Sequence, residues 1–186
     1  MAERGVVRRG PIDDGEDMYV TDHHALAATD TAGLLAELRD RTEVIDALYR
    51  FGLGQDLQDR DLLASAFADA AELDFRPAAS RWGGEVPLMT GRDSITDTIL
   101  DGFRGRVDTT HVVTNPRVRL DGDRARLTAV VEAQHLLTAD HTTFALLKNL
   151  YDVDLSRAGR RWLVTSMRIE NVWYTGEPKA IFGAQV

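Results

Sequence analysis

The sequence contains no cysteine among its 186 residues. This excludes a disulfide framework, a thiol nucleophile and a thiolate metal site, and it suits a reducing compartment. No apolar run approaches the ~20 residues that a membrane-spanning helix needs. The first residues, MAERGVVRRG, are charged and no apolar stretch follows them. We therefore expect no signal peptide and a cytoplasmic location.

Basic residues are in the minority, since 22 Lys and Arg face 30 Asp and Glu, giving a formal net charge of −8. A charge of this sign repels phosphate backbones, so nucleic acid is not expected as a partner. Without an apolar span, a membrane is not expected either. Hydrophobic residues make up 44% of the chain, which is enough to form the core of one domain.

Residues 1 to 30 are polar and aperiodic, which predicts a flexible arm. Asp30 or Thr31 can cap a helix, and the residues that follow form an apolar stripe at helical spacing: Leu34, Leu35, Leu38, Ile45, Leu48 and Tyr49. We expect GLGQDLQDRD to interrupt this helix. The string LLASAFADA then predicts a second short helix, AELDF a strand, RPAASRWGGEVPLMTG a loop and RDSITDTILDGF a further helix.

The apolar period changes to two from residue 107, which predicts four strands at about 107–120, 124–138, 143–156 and 161–174. DGD and RAGR supply the turns between the first two and the last two strands. Helices followed by an antiparallel sheet are typical of the α+β class. We expect one domain over 31–176, with 177–186 as a C-terminal tail.

Alternation along each strand predicts which side chains face the helices. The inward rows contain His135 in the second strand, Asn149 and Tyr151 in the third, and Met167 and Trp173 in the fourth. The first strand is ambiguous. Its hydrophobic residues, among them Val112, would turn His111 outward, but Pro116 permits a bulge that changes the facing. Periodicity therefore leaves the direction of His111 open.

The order of these elements and several strings resemble the SnoaL-like, scytalone dehydratase-like branch of the nuclear transport factor two-like superfamily. The strings are GQDLQDRDLLASAFADAAELDF, TTHVVTNPRV, LDGDRARLTAVVEAQH, LLKNLYDVDL and RRWLVTSMRIENVW, and the resemblance covers residues 32 to 175. It implies a cone-shaped barrel in which a curved mixed or antiparallel sheet and N-terminal helices enclose a pocket.

The resemblance also implies roles for particular residues. In this branch a histidine that opens the strand accepts the proton in an elimination, and an aspartate just after the first helix orients it; His111 and Asp56 match them. A second pocket histidine and a pocket asparagine match His135 and Asn149. Two tyrosines that polarise the substrate carbonyl through water are replaced here by Gln55 and Phe75, which argues against scytalone as the substrate.

These observations predict a cofactor-independent lyase that eliminates water from a small hydrophobic, oxygenated molecule such as a polyketide, terpenoid or steroid-like compound. His111 and Asp56 are the predicted general acid and base pair. The predicted substrate contacts are His135, Asn149, Tyr151, Gln55, Tyr49, Phe75, Trp82, Met167 and Trp173. A polyketide cyclase or isomerase is the first alternative, because the same pair can abstract a proton in either reaction.

Non-enzymatic readings stay open as well. The chain could be a ligand-binding or assembly module, like the small subunits of some aromatic-ring dioxygenases on this fold. The His111–Asp56 pair could be purely structural. With His135 it could also form a two-histidine, one-carboxylate metal triad, but no local ligand motif supports this, so we expect no metal and no cofactor.

Rows containing Trp162 and Val164 are expected on the outer sheet face, which predicts a homo-oligomer, most simply a dimer.

Overall fold

The computed structural model describes Val20 and residues 26–183. Its helices and strands, numbered in chain order, are α1 (Thr31–Asp56), α2 (Arg60–Ala64), β1 (Phe67–Asp74), α3 (Arg76–Ser80), β2 (Met89–Thr90), α4 (Arg92–Phe103), β3 (Val107–Asp121), β4 (Arg124–Leu137), β5 (Asp140–Ala158), β6 (Arg161–Gly176) and α5 (Pro178–Phe182). Most of the predicted N-terminal arm lies outside the described residues.

The strands form one mixed six-stranded sheet in the order β2-β1-β6-β5-β4-β3, so β2 and β3 are its edges. β1 runs parallel to β6, and all other neighbours are antiparallel. The long strands β3 to β6 lie within two residues of their predicted bounds, except that β5 begins earlier, at Asp140. The expected α+β fold, a curved mixed sheet packed on N-terminal helices, is confirmed.

Helix α1 begins as expected, because the Asp30 side chain accepts a hydrogen bond from the Gly33 N–H at 3.0 Å. The predicted interruption lies within the string GLGQDLQDRD but is shorter, since α2 begins at Arg60 and α1 continues to Asp56. Its glycines are contact positions: a Cβ at Gly52 would lie 3.0 Å from the His111 Cβ, and one at Gly54 would lie 2.6 Å from the Leu63 backbone. Within the described ranges no helix, α1 included, is long and apolar enough to span a membrane.

The buried face of α1 is more polar than the predicted stripe. Leu35 and Leu38 are 64% and 48% exposed, whereas Asp40 and Arg50 are buried. Arg50 donates to the Trp162 carbonyl at 3.0 Å and also bonds the Ser65 carbonyl. Hydrophobic spacing misplaced this face because the strands and the loop beneath it supply partners for charged side chains.

Two segments between α1 and α4 differ from expectation. The string LLASAFADA does not form one helix, because α2 ends at Ala64 and β1 begins at Phe67. Phe67 and Ala71 are buried, so the strand is favoured by packing in the core. The predicted loop RPAASRWGGEVPLMTG contains helix α3 and the short strand β2, which pairs with β1.

The ambiguity in β3 is resolved by a bulge. The pairing with β4 shifts between Thr114 and Arg117, and Asn115 adopts a left-handed φ of 52°. Asparagine tolerates this conformation better than most residues. Before the bulge the odd-numbered residues face inward, so the His111 side chain is buried and Val112 is 51% exposed. After it the parity reverses, and Val118 is buried.

Strand β6 contains two further irregularities. Its pairing with β5 shifts at Thr165 and again at Val172. Trp162 and Val164 therefore lie in the core with no exposed surface, so their predicted place on the outer face is wrong. Trp173 lies opposite Lys148 and is 48% exposed, so its predicted inward position is also wrong. Each bulge reverses the alternation on which these assignments depended.

The predicted C-terminal tail is part of the domain over its described length. It contains α5, whose Ile181 is fully buried, and Arg106 donates to the Ile181 carbonyl at 2.7 Å. The described residues of the predicted arm also contact the domain. Val20 is 3% exposed, and the Ala27 N–H donates to a Glu37 carboxylate oxygen at 2.8 Å.

An ion-pair cluster joins α1 to the turns at one end of the sheet. Arg157 donates two hydrogen bonds of 2.8 Å to Asp40 and one of 2.8 Å to Asp123, and its guanidinium lies 4.5 Å from the Trp162 ring. The hydrogen bonds from Arg157 lower the pKa of Asp40 to about 2, although burial opposes the shift. The folded state therefore favours the ionised carboxylate.

This cluster predicts acid sensitivity. The stabilisation from Asp40 is complete above the ordinary pKa of 3.8 and is lost as the pH falls through about 2. Asp40→Asn should lower the free energy of unfolding at neutral pH by about 1–3 kcal/mol, since Arg157 loses a charged acceptor. It should also flatten the dependence of stability on pH between about 4 and 2. Denaturant unfolding across this pH range measures both effects.

Asp123 provides a matched control for this prediction. It binds the same guanidinium, but its side chain is 83% exposed. Asp123→Asn should therefore change stability by no more than about 0–1 kcal/mol. Equal losses in the two variants would contradict the interpretation.

The homodimer remains a prediction, but Trp162 and Val164 cannot contribute to its surface, because both are buried. Exposed apolar side chains lie on the outer sheet face, where Val112 and Trp173 are 51% and 48% exposed, and along α1 and its C-cap, where Leu35, Leu53 and Leu57 are between 50% and 64% exposed. A dimer would cover part of such a surface. Sedimentation velocity at micromolar concentration should show the dimer, and a monomer alone would contradict it.

Candidate active site

A cavity of about 920 Å³ lies between the inner sheet face and helices α1, α4 and α5. Most of its wall is apolar, and Phe51, Phe103 and Phe182 contribute aromatic rings. A smaller set of polar side chains interrupts this wall. Gln55, His111, His135, Asn149 and Tyr151 lie in its inner part, and the exposed residues Glu85, Thr98 and Lys179 also line the cavity. A large apolar cavity with few polar groups is the usual form of a small-molecule site.

The shortest side-chain contact at this cavity joins His111 to Asp56. His111 Nδ1 lies 2.6 Å from Asp56 Oδ1, and the His111 backbone N–H donates to Asp56 Oδ2 at 2.8 Å. Thr109 Oγ1 donates to Asp56 Oδ1, also at 2.8 Å. The side chains of His111 and Asp56 are 3% and 16% exposed. The carboxylate is therefore held on both oxygens.

Local sequence explains how this pair forms. Asp56 is the last residue of α1 and lies one helical turn beyond Gly52. Because Gly52 has no side chain, β3 can approach the helix closely at His111. Thr109 and His111 are two residues apart before the bulge, so both face the helix end.

Electrostatics determine which ring nitrogen carries the proton. Burial would raise the pKa of Asp56, but hydrogen bonds from His111 and Thr109 outweigh it and hold the pKa below its usual value. An ionised carboxylate can only accept hydrogen bonds, so His111 Nδ1 is the donor. In the neutral imidazole the lone pair is then on Nε2, the nitrogen available to the cavity that His111 lines.

His135 lies beside His111 in an apolar environment. The two rings meet edge to face at 5.6 Å, and the rings of Phe103 and Phe182 lie 5.4 and 4.9 Å from His135. Burial, aided by His111, lowers the pKa of His135 to about 3. Its Nδ1 is buried without a hydrogen-bond partner among the described residues. His135 is therefore a neutral imidazole at physiological pH.

Asn149 and Tyr151 face the cavity from β5, as their alternation predicted. Sequence reasoning missed Asn171, which lies opposite Asn149 and donates from Nδ2 to Asn149 Oδ1 at 2.9 Å. Asn171 is 7% exposed. The alternation that turned Ile169 inward reaches Asn171 as well, so the signal for its position was present.

Three of the other predicted contacts also line the cavity: Gln55, Phe75 and Trp82. Gln55 donates from Nε2 to the Phe51 carbonyl at 3.1 Å. Trp82 stacks on Phe182 with ring centroids 5.6 Å apart. Phe182 belongs to α5 and was missed, because we interpreted the segment 177–186 as a tail.

The remaining three predicted contacts are wrong, since none is a cavity-lining residue. Tyr49 is 49% exposed, because it lies on the outer side of α1. Met167 is fully buried in the core between the sheet and the helices. Trp173 lies on the outer face with Lys148, 6.0 Å from its ring, as a result of the bulge at Val172.

The residues of the alternative metal triad make other contacts. Asp56 directs both oxygens to His111 and Thr109, and His135 contacts His111 through ring edges. In the part of the chain that the structure describes, no three His, Asp or Glu side chains are grouped so that they could hold a metal ion.

Comparison with known families identifies the class of domain. The model of the SnoaL-like domain matches residues 36–168, and the chain therefore belongs to this family. No curated protein matches the chain. Among solved structures, the Kfla4162 protein from Kribbella flavida is similar, with 26% identity over 75% of this chain and 95% of that protein and a TM-score of 0.67.

Two further structures are similar in fold. One is a protein from Novosphingobium aromaticivorans provisionally assigned as a scytalone dehydratase, with 20% identity over 76% of this chain and 90% of that protein and a TM-score of 0.64. The other is hexachlorocyclohexane dehydrochlorinase LinA-type3 from Novosphingobium barchaimii, with 20% identity over 77% and 93% and a TM-score of 0.64. The expected resemblance is thus confirmed at the level of fold and family.

The close contact at Gly52 generates a prediction about the pair. In Gly52→Ala the new Cβ would lie 3.0 Å from the His111 Cβ, so the strand must move by a few tenths of an ångström. Alanine stabilises a helix interior by up to about 1 kcal/mol relative to glycine, and this gain should be lost here. The His111 Nδ1–H resonance in proton NMR should weaken or shift, because its bond to Asp56 lengthens.

Leu53→Ala is the control, since Leu53 is the next residue on α1 and is 50% exposed. It should leave the His111 resonance unchanged. An unperturbed resonance in Gly52→Ala, with a gain in stability, would show that the close approach is not required.

Proposed function

We propose that this chain is a cofactor-independent lyase that eliminates water from a small hydrophobic, oxygenated molecule through the His111–Asp56 pair. The observation that carries the proposal is the 2.6 Å contact between His111 Nδ1 and Asp56 Oδ1 at the wall of the cavity. A histidine held in one tautomer by a carboxylate, with its other nitrogen available to substrate, is suited to general acid–base catalysis.

In the proposed reaction, His111 Nε2 removes a proton from a carbon next to a substrate carbonyl. The electron pair of the broken C–H bond moves onto the carbonyl oxygen, and the resulting enolate expels a hydroxyl group from the adjacent carbon. The imidazolium returns the proton to that oxygen, so that water leaves and a conjugated carbonyl product remains. Asp56 stabilises the positive charge that His111 carries between the two steps.

The cavity supports a hydrophobic substrate. Its volume of about 920 Å³ and its aromatic walls suit a molecule of several rings or an equivalent chain. His135 is neutral and buried, so it can contact substrate without adding a charge. In this proposal His135, Asn149, Tyr151 and Gln55 contact the oxygen atoms of the substrate, while Phe75 and Trp82 contact its apolar surface.

The names of two similar structures agree with an elimination, since a dehydratase removes water and a dehydrochlorinase removes hydrogen chloride. Gln55 and Phe75 both line this cavity, where the resembling dehydratases have tyrosines. A substrate other than scytalone is therefore part of the proposal.

The test uses a panel of β-hydroxy ketones with two to four rings, followed by the ultraviolet absorbance of the conjugated product. His111→Gln should lower kcat/KM by about 10²–10⁴-fold on any substrate that is turned over. Asp56→Asn should have nearly the same effect, because the tautomer and the stabilising charge are lost. The double variant should be little worse than either single variant, since the two groups act as one unit.

The chain contains a matched control in a second histidine–aspartate pair. His141 Nε2 lies 2.8 Å from Asp108 Oδ2, but the two side chains are 62% and 48% exposed. His141→Gln should leave turnover unchanged. Full activity in His111→Gln would refute the mechanism. A product with the mass of the substrate would replace elimination by isomerisation or cyclisation at the same pair.

A further inference from the structure

We infer that Asn171 is a positioning residue that turns the Asn149 amide so that its N–H group, and not its oxygen, faces the cavity. The substrate group bound at this point is then a hydrogen-bond acceptor such as a carbonyl oxygen. This inference deepens the proposed function and rests on it for the role of the carbonyl.

The two asparagines are direct neighbours across β5 and β6. Asn149 pairs with Asn171 in register, and the bulge at Val172 follows immediately. Both side chains lie on the inner face, with 1% and 7% of their surfaces exposed. Asn149 lines the cavity, whereas Asn171 is packed behind it and is not a cavity-lining residue. Asn171 therefore acts through Asn149.

Backbone carbonyls determine the orientation of Asn171. Its Nδ2 lies 3.0 Å from the Trp173 carbonyl oxygen and 3.4 Å from that of Lys148. Carbonyl oxygens only accept hydrogen bonds, so the Asn171 atom between them has to be the nitrogen. The same nitrogen lies 2.9 Å from Asn149, and the Asn149 atom at this contact is consequently the oxygen, Oδ1.

The opposite orientation is disfavoured even though the present one has a cost. The Asn171 Oδ1 is buried without a hydrogen-bond partner among the described residues. Rotating the Asn171 amide by 180° would exchange its oxygen and its nitrogen. The oxygen would then face the Trp173, Lys148 and Asn149 oxygens, which are all acceptors. Repulsion among these acceptors keeps Asn171, and with it Asn149, in one orientation.

With its oxygen turned toward Asn171, the Asn149 amide directs its N–H groups to its other neighbours. Tyr151 lies two residues further along β5 and lines the same cavity. Burial raises the pKa of Tyr151, and Asn149 opposes this only in part, so the phenol keeps its proton. Its O–H can therefore donate to substrate.

Asn149 and Tyr151 thus supply donors to a carbonyl oxygen and stabilise the enolate that forms on it. This role matters because Gln55 and Phe75 replace the carbonyl-activating tyrosines. A cavity point with donors and no acceptor selects ketones, aldehydes or esters over hydrocarbons of the same shape.

Binding of a matched pair of probes tests the inference without turnover. 9-Fluorenone offers one carbonyl acceptor and no donor, and fluorene has the same ring system without the oxygen. The wild-type protein should bind fluorenone more tightly. The infrared carbonyl stretch of bound fluorenone should lie below its value in an aprotic solvent, as expected for a hydrogen-bonded carbonyl.

Asn171→Asp is the decisive variant, because it has nearly the same shape and, when an infrared carboxylate band shows that the acid is ionised, no hydrogen to donate. The Asn149 amide should rotate to donate to the new carboxylate and so present its oxygen to the cavity. Fluorenone affinity should then fall about 3–10-fold, the range of one neutral hydrogen bond, while fluorene affinity stays the same. The carbonyl stretch should return toward the aprotic value. Thermal unfolding verifies that the variant is folded.

Two further variants complete the experiment. Asn149→Asp keeps the bond from Asn171 but replaces the donor N–H by an oxygen, so it should lose the ketone preference even if Asn171→Asp does not fold. Gln134→Glu makes the same amide-to-acid change on the outer face of β4 and should change neither affinity. His111→Gln should lose turnover yet keep the ketone preference, which separates this inference from the proposed function.

The inference is overturned if either aspartate variant retains the ketone preference and the lowered carbonyl stretch. It is also overturned if the wild-type protein binds fluorenone no better than fluorene, or binds neither probe. The cavity would then lack the hydrogen-bond donors for a carbonyl oxygen that we assign to it.

Discussion

The candidate site depends on the contact between Asp56 at the end of α1 and His111 on β3. The two residues lie 55 positions apart in the chain, and the side chain and backbone of His111, together with Thr109, form three hydrogen bonds to the two carboxylate oxygens. An isolated buried carboxylate would be strongly destabilising, so the helix end and the strand each require the other. The same contact therefore holds the C-terminal end of α1 against β3 and sets the tautomer of His111.

Backbone irregularities make this contact possible. Gly52 lets the strand approach the helix, and the bulge at Asn115 lets β3 face inward with His111 before it and with Val118 after it. The bulge at Val172 acts similarly on β6, because it keeps Asn171 on the inner face and sends Trp173 to the outer one. Bulges next to a cavity re-aim side chains without breaking the sheet.

Regular periodicity predicted the parts of the structure that are regular. The inner rows of β4 and β5, including His135, Asn149 and Tyr151, were correct because no interruption occurs within them between those residues. The predicted facing of side chains in β6 was wrong at Trp162 and Trp173, because we continued the alternation through two bulges. Tyr49 was wrong for another reason: the buried face of α1 includes Asp40 and Arg50, whose partners lie on distant strands and leave no mark in local hydrophobicity.

The inward direction of His111 depends on a contact with a residue that is distant in the sequence. Hydrophobicity alone favoured an outward histidine, since Val112 and Val118 have the opposite parity. Pro116 indicated that a bulge was possible. Whether the bulge changed the side of the sheet that His111 faces depended on Asp56 lying within reach, which is a property of the tertiary structure. The resemblance supplied that fact, and the structure explains it, because an inward His111 satisfies a buried carboxylate while an outward Val112 loses only part of one apolar burial.

The buried polar groups at the inner wall of the cavity form two sets with different electrical character. His111 and Asp56 form the ionisable set, and the carboxylate can balance a proton gained by the imidazole. Asn149, Asn171 and Tyr151 are neutral: Asn171 donates to Asn149, which leaves the Asn149 N–H groups and the Tyr151 O–H as donors. His135 between aromatic rings adds no charge. A base and neutral donors on one largely apolar wall suit the reaction that we propose, in which a proton leaves carbon while negative charge collects on oxygen.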